Sequence, residues 1–400
     1  MRILFLSQLI PWPLDAGPKV RSYYVLRHLA GAGHEITLLA FSRESDTAES
    51  IDHVRQFCTV VYTVPMKRSR VRDAWHFGRS LLTGIPFLIA RDSVAEMTSM
   101  AGRLAASGGV DAIHADQLWM AQYALSAARA VPGKAPRLVL DQHNAMFLIP
   151  QRLAEGAAGP IQRALLHREA RLMRRYEVDS CRRFDTVVWV TADDQEAVGL
   201  PEPPAGPRAY VIPICVDPQE TPVIKRTARP HRVSFLGGLH WPPNAAGIVW
   251  FAREVWPSVR AACPDAVLTI LGKSPPKELD GRGEGIEVTG YVDDPMPYLK
   301  ETAVFIVPLH AGGGMRVKIL DAWAWGLPVV STTIGAEGID CRHGENLLIA
   351  DTATGFATAV QQVMTDRQLA RSLANACRAA VGDCYDWRAV YSAWDAIYPI

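Results

Sequence analysis

Several features that would narrow the chemistry at once are missing from these 400 residues. Cysteine is sparse. Seven are scattered (Cys58, Cys181, Cys215, Cys263, Cys341, Cys377 and Cys384), and no Cys-x-x-Cys pair occurs. That pattern speaks against a structural zinc site or a disulfide framework and fits a reducing compartment. No apolar run reaches the length a bilayer span needs. The opening Met1-Arg2-Ile3-Leu4-Phe5-Leu6 is apolar but short, and no small-residue cleavage site follows. A first buried strand is expected there rather than a leader. No charge of one sign dominates: 42 Lys and Arg face 41 Asp and Glu. The balance of +1 supplies no general reason to expect a nucleic-acid partner. No G-x-G-x-x-G opens the first strand–turn–helix unit, which disfavours a nicotinamide dehydrogenase. The expectation is a soluble, cytoplasmic protein of about two to three domains.

What is present is an alternation. Short apolar runs at 3–7, 35–41, 60–64, 112–114, 138–141 and 186–191 are mostly followed by helical patterns, the first at 19–31. Such a rhythm predicts a parallel sheet covered by helices on both faces. The stretch Pro201-Glu-Pro-Pro-Ala-Gly-Pro207 interrupts it and marks a domain junction nearby. Beyond His231 the pattern restarts, with strands expected at 232–236, 267–271, 286–289, 303–309 and 329–331. Helices are expected at 244–261, about 315–325 and 354–366. The fold class is α/β, with two doubly wound, Rossmann-like domains at 1–205 and 232–384 joined by a linker at 206–231. The segment 385–400, with Trp387, Tyr391, Trp394 and Tyr398, reads equally as a helix on the second domain or one returning to the first. Two such domains facing each other would put their strand ends across one cleft, where ligands are expected.

The densest chemistry lies at His310-Ala-Gly-Gly-Gly-Met-Arg-Val-Lys318. An expected strand runs into Gly312, Gly313, Gly314 and Met315, then into a helix whose first turn carries Arg316 and Lys318. Glycines let backbone approach a ligand, and the N–H groups at a helix start attract anions. Two cations add charge where phosphate oxygens would sit. This is a diphosphate cradle with a sugar or nucleotide attached, or else a Gly-rich turn.

With these pieces assembled, the chain resembles the GT-B glycosyltransferases, most closely glycosyltransferase family 4, over nearly its whole length. The resemblance rests on the loop at Gly17, on His143, on Gly237-Gly238, on 312–328 and on Thr332-Thr-Ile-Gly-Ala-Glu-Gly338. It implies two domains facing across a cleft, the N-terminal one for the acceptor and the C-terminal one for a nucleotide-sugar donor, UDP- or GDP-linked. Transfer would proceed with retention of anomeric configuration, with no further cofactor and no metal. His143 would hydrogen-bond the transferred sugar. Gly17 would let its loop approach donor phosphates or acceptor, and Val292, within Gly290-Tyr-Val-Asp-Asp294, would line the base pocket through its backbone.

The carry-over is uneven. The family places two glutamates eight positions apart, one on the sugar and one on the ribose. Here those positions are Gly313 and Asp321, so the ribose role passes to a shorter carboxylate and the sugar contact must come from elsewhere. The Arg and Lys that many members carry after the first strand of the second domain are absent, and Gly237-Gly238-Leu-His240 stands instead. Arg316 and Lys318 are therefore expected to neutralise the phosphates, with His240 an exposed loop residue. Glu337 is expected to reach the donor, or to serve a turn. Asp116, at a strand end after His114, is assigned to the acceptor. The pairs Asp193-Asp194 and Asp293-Asp294 read as helix caps or solvated loops rather than metal ligands.

Two arginine-rich stretches, 66–72 and 163–183, fall in the expected acceptor domain. They read as salt-bridged faces, or as contacts for an anionic membrane surface or a polyprenyl-diphosphate acceptor. The leading reading is a retaining transferase acting on a lipid-linked or polysaccharide-type acceptor, peripheral to the inner face of the membrane or free of it. A catalytically silent sugar-nucleotide binding protein, suggested by Gly313, and a GT-B sugar-nucleotide epimerase are the alternatives.

Overall fold

A computed structural model describes residues 1–156, 159–227, 230–279 and 283–399. The chain divides into two compact units: Met1–Cys215 together with the segment from Trp387 onward, and Val216–Asp386.

The first unit is built on seven parallel strands: β1 (Arg2–Ser7), β2 (Glu35–Ser42), β3 (Val60–Pro65), β4 (Ala112–Asp116), β5 (Arg137–Gln142), β6 (Thr186–Trp189) and β7 (Arg208–Val211). Their order is β3-β2-β1-β4-β5-β6-β7. Central strands of a sheet with helices on both faces are buried on both sides, which is why β1 carries the apolar run Ile3–Leu6 and why every residue of β4, His114 and Asp116 included, is buried. Leu4, Leu6, Leu39, Phe41, Ile113, Leu140 and Trp189 share one core with the helices that cover it. The order reverses between β1 and β4, and such a switch point leaves a crevice at the carboxyl ends of the strands. Helix Gly17–Gly31 follows β1, with Pro18 in its first turn, where a missing N–H costs nothing.

The second unit has six parallel strands: β8 (Arg232–Leu236), β9 (Val267–Leu271), β10 (Ile286–Gly290), β11 (Thr302–Val307), β12 (Val329–Ser331) and β13 (Leu348–Ile349). The order β10-β9-β8-β11-β12-β13 puts its switch point between β8 and β11. Val233, Phe235, Leu268, Ile270, Val304 and Ile306 pack with Ile248, Phe251, Phe356 and Val360 from the helices.

Several expectations need correction. The span 206–231 is not all linker, since β7 lies within it; residues 228 and 229 are outside the described residues. The helix expected at 244–261 runs as Pro242–Trp250, a π-turn at Phe251–Val255, and Trp256–Ala262. Pro257 has no N–H to continue the ladder and its ring clashes with the preceding turn, so the backbone widens there. A further helix, Arg367–Cys384, precedes the C-terminal segment. That segment is a short helix, Trp387–Val390, and a 3-10 stretch, Tyr391–Ala396, which cluster with the first unit. Among the described residues, no helix is long and apolar enough to cross a membrane.

Candidate active site

In the first unit the switch point gathers charge. Asp116 closes β4 in register with Asp141 on β5, and His143 follows two residues after Asp141, on the same side of the strand. His143 Nε2 lies 2.9 Å from Asp116 Oδ1 and 3.7 Å from Asp141 Oδ2. The nearer contact pairs the groups as charges without the alignment of a hydrogen bond. Arg21, on the helix after β1, grips Asp141 with Nε at 2.9 Å and Nη2 at 3.0 Å. Its Nη1 reaches the Pro213 carbonyl at 2.8 Å and the Tyr391 hydroxyl at 3.3 Å. The guanidinium also lies 5.0 Å from the centre of the Trp394 ring. The C-terminal segment thus completes this cluster from behind.

Burial by itself would strip the proton from His143, but Asp116 and Asp141 outweigh it and lift its pKa to about 9. The ring is a cation at neutral pH. Burial would likewise raise the Asp141 carboxyl, yet the Arg21 charge and His143 hold it well below the usual carboxylate range. His114 is different: burial dominates and lowers it to about 4, leaving a neutral ring stacked on Phe5 and bonded through Nδ1 to Tyr398 Oη at 2.8 Å.

Asp116 does not occupy the place expected of an acceptor contact. It is fully buried, and its Oδ2 accepts hydrogen bonds from Ser7 and Ser22, both 2.8 Å. Its work is to hold the charge of His143. Ligand atoms of His114, Asp116 and Asp141 come within 4.8 Å of one another, spacing a metal ion would accept. Arg21 and His143 already lie against these two carboxylates.

The turn carrying His143 is tied from outside. Glu177, buried on helix Pro160–Cys181, accepts from Gln142 Nε2 at 2.7 Å, Met146 N at 2.9 Å and Phe147 N at 3.3 Å. Asp194 Oδ1 accepts from Ala145 N at 2.7 Å, while its own amide is capped by Thr191. Asp194 is therefore a structural clamp, in keeping with a capping role. Asp294 caps Met296 N at 2.9 Å in the same spirit. Gly17 opens helix Gly17–Gly31, beside the Asp15–Lys19 pair at 2.9 Å.

In the second unit, Gly312, Gly313, Gly314 and Met315 lead from β11 into helix Val317–Ala324. Arg316 is the cap residue of that helix, which begins two residues later than the sequence pattern suggests. Gly312 at φ +136° and Gly314 at φ +69° adopt backbone that other residues resist. A Cβ on Gly312 would also lie 2.7 Å from the Arg316 guanidinium. That guanidinium folds back onto its own loop. It donates to the Gly313 carbonyl, to the Gly314 carbonyl at 2.6 Å and to the Ile334 carbonyl at 3.3 Å, with Glu337 3.8 Å away. Arg316 braces the cradle, and Glu337 belongs to the same brace.

Lys318 projects from the first turn toward the end of β8. Its Nζ donates to Asn244 Oδ1 at 2.8 Å and sits 4.4 Å from the centre of the Phe235 ring. A Cβ on Gly237 would stand 2.6 Å from that nitrogen, so glycine is what lets the ammonium lie against the backbone. At Gly238 a Cβ would meet the His240 ring at 2.5 Å. Burial, helped by the Arg316 charge, lowers the Lys318 pKa to about 7 against the opposing pull of Asp321. Burial raises Asp321 to about 7, with Lys318 acting against it. Val292 follows β10, whose end is bulged at Gly290, and is half-buried beside the exposed Tyr291 ring.

The sequence reading missed Arg21, Asp141, Glu177 and Asn244. Arg21 left one trace, as the only charge in the run Val20–Leu26 of an otherwise apolar helix face, with Ser22, Tyr23 and Tyr24 beside it.

Comparison with known proteins follows these two halves. The family described as Glycosyltransferase Family 4 matches residues 17–220, and Glycosyl transferases group 1 matches residues 230–366. An "Uncharacterized 44.6 kDa protein in cps region" of Klebsiella pneumoniae is 24% identical over 98% of both chains. The lipopolysaccharide core biosynthesis glycosyltransferase LpsE of Rhizobium meliloti is 36% identical over 22% of this chain and 26% of its own. Among solved structures, Anabaena HepE in complex with UDP and glucose superposes over 100% of both chains with a TM-score of 0.69 at 15% identity. That similarity places the fold in the GT-B class of two Rossmann-like domains. The first match spans half of the chain, and on it rests the assignment: this chain belongs to glycosyltransferase family 4.

Proposed function

We propose that this glycosyltransferase takes a sugar from a UDP- or GDP-linked donor and passes it to a lipid-linked or polysaccharide-type acceptor, with retention of configuration and without a metal ion. The observation that carries the reading is the junction after β11. Glycine backbone there opens onto the N-terminus of helix Val317–Ala324, with Arg316 bracing the loop and Lys318 Nζ held against Gly237. Breaking a sugar–phosphate bond leaves positive charge at the anomeric carbon and negative charge on the departing diphosphate. Helix amides and a fixed ammonium stabilise that negative charge without reorganising as the bond breaks. His143, protonated, is suited to donate to a hydroxyl of the transferred sugar. Asp321, on the same helix as Lys318, is suited to accept from the ribose. The cps-region relative and LpsE favour an envelope-glycan acceptor, and HepE makes UDP-glucose the first donor to try.

The test is a panel of UDP- and GDP-sugars with bacterial lipid extract in the presence of EDTA, following released nucleoside diphosphate and the anomeric signal of the product. One donor should turn over only when acceptor is present, and Arg316→Ala with Lys318→Ala should slow it at least ~100-fold. Saturable binding without turnover would leave a silent binding protein, and conversion of donor without acceptor would leave an epimerase. Loss of activity in EDTA would overturn the metal-free step.

A further inference from the structure

Helix Arg70–Thr83 is poorly covered by the rest of its unit. Over 14 residues it buries only His76 and Ser80. Val71 is 81% exposed, Trp75 62% and Leu82 90%. At about 100° per residue these three fall within about 40° of one another, on the far side of the helix from His76 and Ser80. Side chains of that size in one outward stripe are costly to leave in water and signal a surface that meets something apolar. The flanks are basic. Arg72 and Arg79 run along one side and Arg70 along the other, with Lys67 and Arg68 just before the helix. Asp73 is the single acid within it. Among the described residues, none of the three helix arginines forms an ion pair with an acid. Beside the helix runs a groove of about 830 Å³, with Arg72, Trp75 and Arg79 on one wall and Ser93, Thr98 and Ser99 on the other. The opposite side is anchored: Arg168 of helix Pro160–Cys181 donates to the Ser80 carbonyl at 2.7 Å.

We propose that helix Arg70–Thr83 docks onto an anionic lipid bilayer, burying Val71, Trp75 and Leu82 among the acyl chains. Its arginines meet lipid phosphates, and the hydroxyl-lined groove receives the headgroups nearest the protein. Charge decides this partner over an apolar protein face. An interfacial helix carries cations on both shoulders of its apolar stripe and a ring such as Trp75 at headgroup depth. A protein-facing stripe with unpaired arginines on both sides would have to desolvate them. The inference rests on the surface of the first unit alone and stands or falls separately from sugar transfer.

Sedimentation with vesicles of phosphatidylcholine containing about one third phosphatidylglycerol, against pure phosphatidylcholine, tests it. The full chain should pellet with the anionic vesicles and be released as salt rises. Each basic side chain near such a surface strengthens binding about fivefold, so Arg70→Glu with Arg72→Glu should weaken it at least ~25-fold. Trp75→Ser with Leu82→Ser should abolish sedimentation while leaving the thermal midpoint of this exposed helix's unit unchanged. Wild-type protein remaining in the supernatant, or either variant pelleting as wild type does, would overturn the proposal. So would a dimer in gel filtration that the Trp75→Ser, Leu82→Ser variant dissolves, which would assign the stripe to a second copy of the chain.

Discussion

Replacing Asp116 by Asn should discharge His143. The ring is 6% exposed, and raising its pKa from the ordinary 6.5 to about 9 means the carboxylates favour the cation by about 3 kcal/mol net of the burial cost, at about 1.4 kcal/mol per pKa unit. Two acids face it, but they are not equivalent. Asp141 is already matched by the two-pronged grip of Arg21, whereas Asp116 Oδ2 is met only by the hydroxyls of Ser7 and Ser22. Most of the favourable field at His143 therefore comes from Asp116, 2.9 Å away. In Asp116→Asn burial remains and its counterweight goes, so the imidazole should titrate at or below 6.5. The assay is a histidine ring titration by NMR, with the His143 signal identified by its loss in His143→Gln. The sign for stability follows: a cation held above its ordinary pKa contributes stability that is complete below pH 6.5 and lost as pH rises through about 9. The difference in unfolding free energy between wild type and Asp116→Asn should shrink by about 3 kcal/mol across that window. A His143 signal that still titrates above pH 8 in Asp116→Asn would refute the assignment of Asp116 as the charge partner.

Three further outcomes follow from the same geometry. Gly237→Ala should push Lys318 Nζ off Asn244 and weaken nucleotide-diphosphate binding about 10-fold or more, the scale of one charge-assisted hydrogen bond, while the thermal midpoint holds; unchanged affinity by calorimetry would dissociate Lys318 from the donor site. Burial lifts the Glu177 carboxyl to about 8, so wild type loses stability as pH rises from 4.5 through 8, and Glu177→Gln should not; parallel urea midpoints from pH 5 to pH 8.5 would contradict this. Lys318, lowered to about 7 chiefly by burial, should regain its proton when a diphosphate binds, so calorimetry at pH 8 in buffers of different ionisation enthalpy should show uptake approaching one proton. A buffer-independent enthalpy would place the phosphates away from this amine.

Much of the fold was legible because central parallel strands are buried on both faces and so appear as short, mainly apolar runs; β8, β9 and β12 fall where such runs lie. What stayed hidden was short or marginal. β7 is a four-residue edge strand, mostly exposed, placed directly after a proline-rich stretch. β13 has two residues. The glycine cradle was legible because its signal is local: glycines, a helix start and two cations lie within seven positions of one another. The charge cluster under His143 was not, because Arg21, Asp116, Asp141 and Tyr391 come from four elements and meet only where the strand order reverses. Asp116 by itself reads as a strand-end acid open to ligand. Only the register that sets it beside Asp141, with Ser7 and Ser22 closing over it, turns it inward.

The two switch points are prepared in opposite electrostatic senses. In the first unit the charges are complete as folded: Arg21 and His143 answer Asp141 and Asp116, and burial strengthens each pairing by excluding water. Nothing there waits for a charged ligand. The second unit is arranged differently. Arg316 gives its hydrogen bonds to loop carbonyls, which shapes the cradle, and Lys318 and Asp321 are both brought by burial to the edge of neutrality. A site of this kind stores little repulsion between Arg316 and Lys318 because the lysine can give up its proton. With the proposed diphosphate donor bound, the proton should return and the full positive charge should appear beside the leaving group. In the proposed donor site that linkage should favour phosphate-bearing partners over neutral sugars, since only an anion repays the cost of recharging this half-buried amine.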